Sequence, residues 1–310
     1  MRQYLSTISL LCVVFFFFGW RFSYSGSPIG KEQPNPPNTL KVADNFYVDE
    51  TELTNIAYLE YLYWIGGTYG ETSEVYLEAL PDTTVWEQVG PLPDSYLEGY
   101  LRHPTFHDYP VVGISLEQAI AYSDWRTERV AESYLLHLGL IRSTGLTTPD
   151  QCFTIDRYLQ GNFDWIIKSQ AIYIPVFRLP TIEEWEQFAG KDSPFIYGVD
   201  STRAVNRKNN RRYKFMFNSI ENPDRSKDAS LGFSPGFAPI PVNASAKNVN
   251  DLYHVIGNVA ELVQEADIVK GGSWKQAIDT LSIDSEIYID EPTAWVGFRN
   301  VCSYQALKPE

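Results

Sequence analysis

Asp251-Leu-Tyr-His-Val-Ile-Gly-Asn-Val-Ala-Glu-Leu-Val263, with Val269-Lys-Gly-Gly-Ser-Trp274 close behind it, carries the strongest structural signal in the chain. The polar step Gly257-Asn258 is embedded between apolar residues. Glycine has no preferred backbone hand and asparagine tolerates the left-handed region, so the pair can turn a chain sharply inside a core. Gly271-Gly272 then lets a second backbone pass close to that turn, with Trp274 as a large buried anchor. Trp295-Val-Gly-Phe-Arg-Asn300 adds a further short, aromatic-flanked strand near the C-terminus.

Working outward, the rest of the composition suits such a core. The chain has 310 residues, among them 8 Trp, 20 Tyr and 17 Phe but only 2 Met, which points to rigid aromatic packing rather than a Leu/Ala bundle. A formal net charge of −14 argues against a nucleic-acid partner, whose phosphates it would repel. Met1-Arg2 followed by an apolar run from Ile8 to Phe18, broken only by Ser9, is too short to span a bilayer, which needs about 20 residues. It reads as a secretory signal over residues 1–25, with Ser23 and Ser25 at the cleavage-relevant positions; an uncleaved anchor is the alternative. Residues 26–42, with Pro28, Pro34, Pro36 and Pro37, read as an extended linker, and residues 43–310 as the folded domain. Cleavage leaves Cys152 and Cys302, whose spacing fits neither a zinc site nor a thioredoxin-like motif and leaves a disulfide open.

Along the domain, Phe46 and Val48 alternate as in a strand. Thr54 or Asn55 caps a helix with Ile56, Leu59, Leu62 and Tyr63 on one face, stopped by Gly66-Gly67. Residues 70–100 read as a surface excursion. Ser115 and Gln118 form a capping-box signature for a helix with Leu116, Ala119, Ile120 and Ser123 in its stripe, running to Leu138 and Gly139. A second excursion covers residues 141–175. Then Arg178-Leu-Pro-Thr-Ile-Glu-Glu-Trp-Glu186 gives a strand end, a Thr181 cap, a Glu184 capping box and an inward Trp185, Phe188 and Ala189. Capping explains Glu184, and surface solvation Glu186, better than acid/base work does. His103 and His107 have helical metal spacing, but Pro104 breaks helical geometry and no third ligand is evident, so local hydrogen bonding is the reading. Arg203, Arg207, Lys208, Arg211, Arg212 and Lys214 form the chain's one basic patch: a solvated loop, or a docking site for an acidic partner or lipid headgroups through Arg207, Arg211 and Arg212.

Asp49-Glu-Thr-Glu-Leu-Thr-Asn55, Pro110-Val-Val-Gly-Ile-Ser115, Arg178-Leu-Pro-Thr-Ile-Glu-Glu-Trp-Glu186, Gly257-Asn258…Glu261 and Gly297-Phe-Arg299 occur in the order found in the formylglycine-generating enzyme, or sulfatase-modifying factor, family, which the chain resembles. The expected Gly-rich hairpin before the first motif is missing from this reading. The long helix and its following insertion resemble the Bacteroidetes gliding-motility, type IX secretion lipoproteins. The resemblance implies an α+β, C-type-lectin-like domain with small sheets, two main helices and much irregular chain. Oxidases of the family hold copper on a cysteine pair just after the Gly-Gly-Ser step, because a thiolate both ligates the soft metal and carries the redox chemistry. Here Ser273 to Leu281 contains no cysteine, histidine or methionine. The family's calcium site corresponds to Gly257, Val259 and Glu261, with His254 where an asparagine ligand is usual.

The expectation is therefore a non-catalytic exported scaffold or interaction protein of the bacterial envelope, in the periplasm or on the periplasmic face of the outer membrane, with envelope proteins as partners and calcium as the one candidate cofactor. Membrane association follows if the signal stays uncleaved. The alternatives are an enzyme of this fold with iron-dependent, non-thiol chemistry and a lectin-like glycan binder.

Overall fold

The alternation of Phe46 and Val48 does make a strand, Phe46–Asp49 (β2), in the computed structural model of the chain, and all four of its residues are buried. The structure describes residues 33–89, 96, 99–142, 148–161, 172–191, 195–196, 199–200, 238–244, 247–276 and 282–307. The described residues from Pro36 onward belong to one compact unit.

The folded part begins earlier than the sequence suggests. Thr39–Ala43, expected in the linker, is a strand (β1) paired antiparallel with β2 through Leu40 and Val48. The turn between them uses Asn45 at φ 49°, and Asn45 also bonds Tyr304 from both ends of its amide, at 3.0 and 2.8 Å. A hairpin therefore opens the domain, with asparagine doing the turning where glycine was looked for.

β2 leads into a helix, Asn55–Tyr69 (α1), capped by Thr54, whose hydroxyl accepts the Ala57 N–H. The helix passes through Gly66-Gly67 and stops at Gly70, φ 94°. Its buried face is Asn55, Tyr58, Tyr61, Leu62 and Ile65; of the expected Ile56, Leu59, Leu62 and Tyr63 only Leu62 belongs to it, and Tyr63 is 59% exposed. Apolar residues lie all round this helix, so periodicity could not select a side. After the short helix Glu74–Glu78 (α2) come two 3-10 turns, Thr83–Val89 and Pro104–Phe106. In the second, His103 Nδ1 accepts the Thr105 N–H, the local role expected of it.

The long helix Leu116–His137 (α3) has the reciprocal Ser115–Gln118 capping box and ends at Leu138-Gly139 as expected. It buries Ala119, Tyr122, Ser123, Arg126, Thr127, Val130, Ala131 and Leu135, while Ile120 is 44% exposed. After the short helix Ile155–Leu159 (α4), strand Ile172–Arg178 (β3) begins inside the expected second excursion. Thr181 caps Ile182–Ala189 (α5), and Gly190 closes it in the left-handed region.

Two four-stranded sheets and a two-stranded hairpin, Phe195–Ile196 (β4) with Val199–Asp200 (β5), carry the described strands. The first sheet runs β1-β2-β10-β3, all antiparallel, with Val301–Leu307 (β10) at its centre. Pro175 pairs opposite Tyr304, which an edge strand tolerates because its outer N–H groups need no partner strand. The second sheet runs β8-β7-β6-β9, from Ile287–Tyr288 (β8), Ile268–Lys270 (β7), Ala260–Leu262 (β6) and Val296–Gly297 (β9). Only its β6–β9 pair is parallel. One core joins Tyr58, Leu62 and Tyr122 of the two main helices to Leu262, Val269 and Phe298; another sets Trp185 and Phe188 against Val48, Val255 and Val301.

Candidate functional site

Gly257 and Asn258 both adopt positive φ, 82° and 62°, as the sequence required of a turn inside a core. Asn258 is completely buried and bonds on three sides: its Oδ1 accepts the Ile240 N–H, its Nδ2 donates to Ile240 O and, at 2.7 Å, to Glu52. The other Glu52 oxygen accepts the Val259 N–H at 3.0 Å. Gly271 passes so close that a Cβ there would stand 2.6 Å from Val255 O and 3.0 Å from the Trp185 ring. The packing expected around this turn is thus observed, and Trp274 is buried with its indole N–H on Ala294 O.

Two residues on from Val259, Glu261 sits on β6 with no exposed surface. Arg299, equally buried, reaches one of its oxygens with Nε at 2.8 Å and Nη2 at 2.6 Å; the Trp185 indole N–H donates to the other at 2.8 Å. The remaining guanidinium donors go to the carbonyls of Asp49 and Tyr253. A parallel arrangement lies alongside. Arg126 grips Asp49 with two bonds of 2.6 and 2.8 Å, donates to Asn300 Oδ1 and Pro37 O, and stacks on Phe177. The Asn300 amide in turn donates to Ser123. Burial raises the carboxyl pKa of Glu52, and the negative charge of Glu261 adds to this, while Arg299 and the Asn258 and Val259 donors oppose it. One guanidinium therefore faces two buried acids.

This geometry answers the calcium question. A calcium ion takes six to eight oxygens. At Glu261 one carboxylate oxygen already faces an internal cation and the other an indole donor, so the positive charge a metal would supply is provided by Arg299. His254, at φ 47° and 1% exposed, has Nε2 3.2 Å from Pro241 O, a bond that makes Nε2 the protonated nitrogen; Nδ1 has no partner among the described residues. Burial pushes its pKa down to about 3, so the ring is neutral. Glu261 is thus taken up by Arg299 and Trp185 and the Val259 N–H by Glu52, so the carboxylate of the set does not fit the role of a calcium ligand.

After Gly271-Gly272, the Ser273 N–H and hydroxyl both bond the Gln276 side chain, closing a local turn. Residues 277–281 lie outside the described residues, as do Arg207, Arg211 and Arg212, so the basic patch has no structural placement. Cys152 and Cys302 are both free and buried; no disulfide joins them. Burial pushes the Cys302 thiol far above the usual range, opposite to what a reactive thiolate needs. Glu184 completes the Thr181 capping box and also takes a two-pronged bond from Arg178. Glu186 departs from the surface-solvated reading: it is 13% exposed and pairs with Lys191 and, at 3.0 Å, with Lys270, whose side chain is fully buried. That partner arrives from β7, which no local reading could supply. Arg299, Trp185 and Glu52 were not singled out as site residues, yet each lies inside a motif quoted for the family, and for Glu52 and Arg299 a charge beside apolar motif residues was the available signal.

The comparisons agree with this framework. Residues 18–304 match the sulfatase-modifying factor enzyme 1-like domain. The chain belongs to this family. The family's mixed, α+β fold is accordingly the one observed, with small sheets and two principal helices. No curated protein matches the chain. Among solved structures it is similar to Treponema denticola variable protein 1, at 18% identity, 83% of this chain, 84% of that one and a TM-score of 0.41. It is also similar to CarF, at 15% identity, 83% and 86% coverage and a TM-score of 0.41. Scores that low carry nothing about function from either protein to this one.

Proposed function

We propose that this sulfatase-modifying-factor domain is a non-catalytic, exported scaffold that uses an enzyme framework for protein–protein contact in the bacterial envelope. The observation that carries the reading is the stretch after Gly271-Gly272-Ser273. Family oxidation needs a thiol pair there, and Ser273 to Leu281 supplies none. The two other thiols of the folded unit are no substitute: Cys302 is 0% exposed with a raised pKa, and Cys152 is 2% exposed. The charged groups Glu261 and Arg299, and Asp49 and Arg126, are paired with one another at the heart of the fold, which suits structural rather than chemical work. The signal-like N-terminus supports export, and the long α3 with the insertion after it supports kinship with gliding-motility and type IX secretion components.

The test is direct. Purified protein supplied with copper, oxygen and a cysteine peptide is expected to consume no oxygen above background and to leave the peptide mass unchanged. Appearance of the aldehyde product, in which the thiol sulfur is lost and an aldehyde oxygen gained with the corresponding fall in peptide mass, overturns the reading. Fractionation of the native host tests the address: recovery in the cytoplasm rather than the envelope would contradict export.

A further inference from the structure

Asn55 opens α1 with its side chain completely buried. Its Nδ2 donates to Tyr100 O at 3.1 Å and to Phe106 O at 2.9 Å, and only the NH2 end can face two carbonyls, which fixes the orientation of the amide. The Oδ1 end then has no donor among the described residues. A buried acceptor without a donor is unfavourable, so such an atom calls for a donor from outside the chain, a water or a ligand.

Asn55 lines a cavity of about 70 Å³, walled by the buried rings of Trp86, Tyr96 and Tyr100. Asp82 and Thr83, both exposed, form its mouth. One Asp82 oxygen accepts the Thr84 N–H and hydroxyl. The lining brings together the Asn55 amide, the rings of Trp86, Tyr96 and Tyr100, whose faces attract cations, and the Asp82 carboxylate. Arg102 also borders the cavity but is exposed, and its guanidinium reaches away to Tyr76 OH at 3.5 Å. The volume corresponds to roughly two waters at ~30 Å³ each, far below the ~300 Å³ at which pockets for drug-sized molecules begin. A sugar ring does not fit. The terminal methylene and ammonium of an alkylamine do.

We infer that this cavity is a binding site for a primary alkylammonium group, of the kind carried at the end of a lysine side chain, with Asn55 Oδ1 and Asp82 accepting its N–H donors and Trp86, Tyr96 and Tyr100 holding its methylene end. The overall charge of −14 favours a cationic partner. The inference deepens the scaffold reading by naming a chemistry its partner would present, but it stands or falls on small-molecule binding alone, whereas the scaffold reading stands or falls on the oxidase assay.

The experiment titrates the intact chain with n-butylammonium and with Nα-acetyl-lysine amide, by calorimetry and by ligand-observed NMR, against n-butanol and tetramethylammonium as controls. Expected is saturable binding of both primary amines, at least about tenfold tighter than butanol, which lacks the charge, and than tetramethylammonium, which lacks N–H donors. Asp82→Asn, at an exposed position where the new amide oxygen can still accept from Thr84, is expected to weaken amine binding about tenfold. Thr83→Trp, which blocks the mouth without touching the core, is expected to abolish it. Circular dichroism of both variants should match the parent. No saturable amine binding, equal binding of butanol, or binding indifferent to both substitutions overturns the inference; the middle outcome assigns the cavity to water and neutral solutes. Binding of butylammonium but not of the lysine amide identifies free amines rather than a protein side chain as the source.

Discussion

His254 shows how one residue can carry a pH response. Its imidazole is buried, neutral and depressed to about 3, against about 6.5 in an unfolded chain. Below the unfolded value the denatured state takes up a proton that the native state refuses, so stability present above about pH 6.5 is lost as pH falls toward 3. His254→Asn removes that proton site and keeps a residue suited to φ 47°. The stability difference between parent and variant, measured by urea unfolding, should therefore move in the variant's favour by on the order of a few kcal/mol between pH 7.5 and pH 4. A difference that stays constant with pH would remove His254 from the account. Arg299 makes the complementary point about charge. Arg299→Met leaves Glu261 buried without a counter-ion and strips donors from the Asp49 and Tyr253 carbonyls, an expected loss of about 3–5 kcal/mol. Adding Glu261→Gln should recover part of that loss, because the uncompensated charge goes with it; a double variant no better than the single one would mean the carbonyl bonds, not the charge, were decisive.

At the level of elements, caps were readable from the sequence and faces only in part: Trp185, Phe188 and Ala189 of α5 are buried as expected, whereas the buried side of α1 differs from the one read. Thr54, Ser115 and Thr181 cap α1, α3 and α5 as their local patterns indicate, since a cap is settled within four residues. The buried side of α1 depends on what packs against it, and α3 turns Arg126 inward because Asp49 and Asn300 wait there. Gln118 joins both kinds of information. Its Oε1 caps Ser115 N, which sequence predicts, while its Nε2 donates to Glu78 O and Leu80 O at 2.8 Å each, tying α3 to the segment after α2. Gln118→Glu preserves the cap acceptor but replaces two donors with an acceptor facing two carbonyls. It should lose about 1–2 kcal/mol despite glutamate being a good capping-box residue, and Gln118→Ala about 2 kcal/mol. Thermal melts of the pair decide it: a neutral Gln118→Glu would confine the residue's role to its own helix.

Across the whole molecule, the family framework was legible because its turns and caps are short-range devices, whereas the ionic network was not, because Glu52, Glu261 and Arg299 meet only once three distant segments have folded together. The same long-range assembly creates a property of the entire core. Tyr58, Tyr61 and Tyr122 pack ring to ring at 5.4–5.7 Å, and Tyr100 lies in a second aromatic group with Tyr96 and Trp86. Burial raises the phenol pKa of all four, Tyr61 to about 12. In the unfolded chain they ionise near 10. The native state therefore binds more protons above that pH, and the stability these phenols contribute, intact below about 10, is lost as pH rises through 12 and beyond. Alkaline titration followed by tyrosinate absorbance should accordingly show two phases. A gradual one near pH 10 leaves the near-ultraviolet circular dichroism unchanged, and a steep one at higher pH coincides with its collapse, because the buried phenols ionise only when the helices separate from the sheets. A single smooth titration completed near pH 10 with the dichroism still native would mean that water reaches these rings in the folded protein, and the aromatic core would not be the closed structure its packing describes.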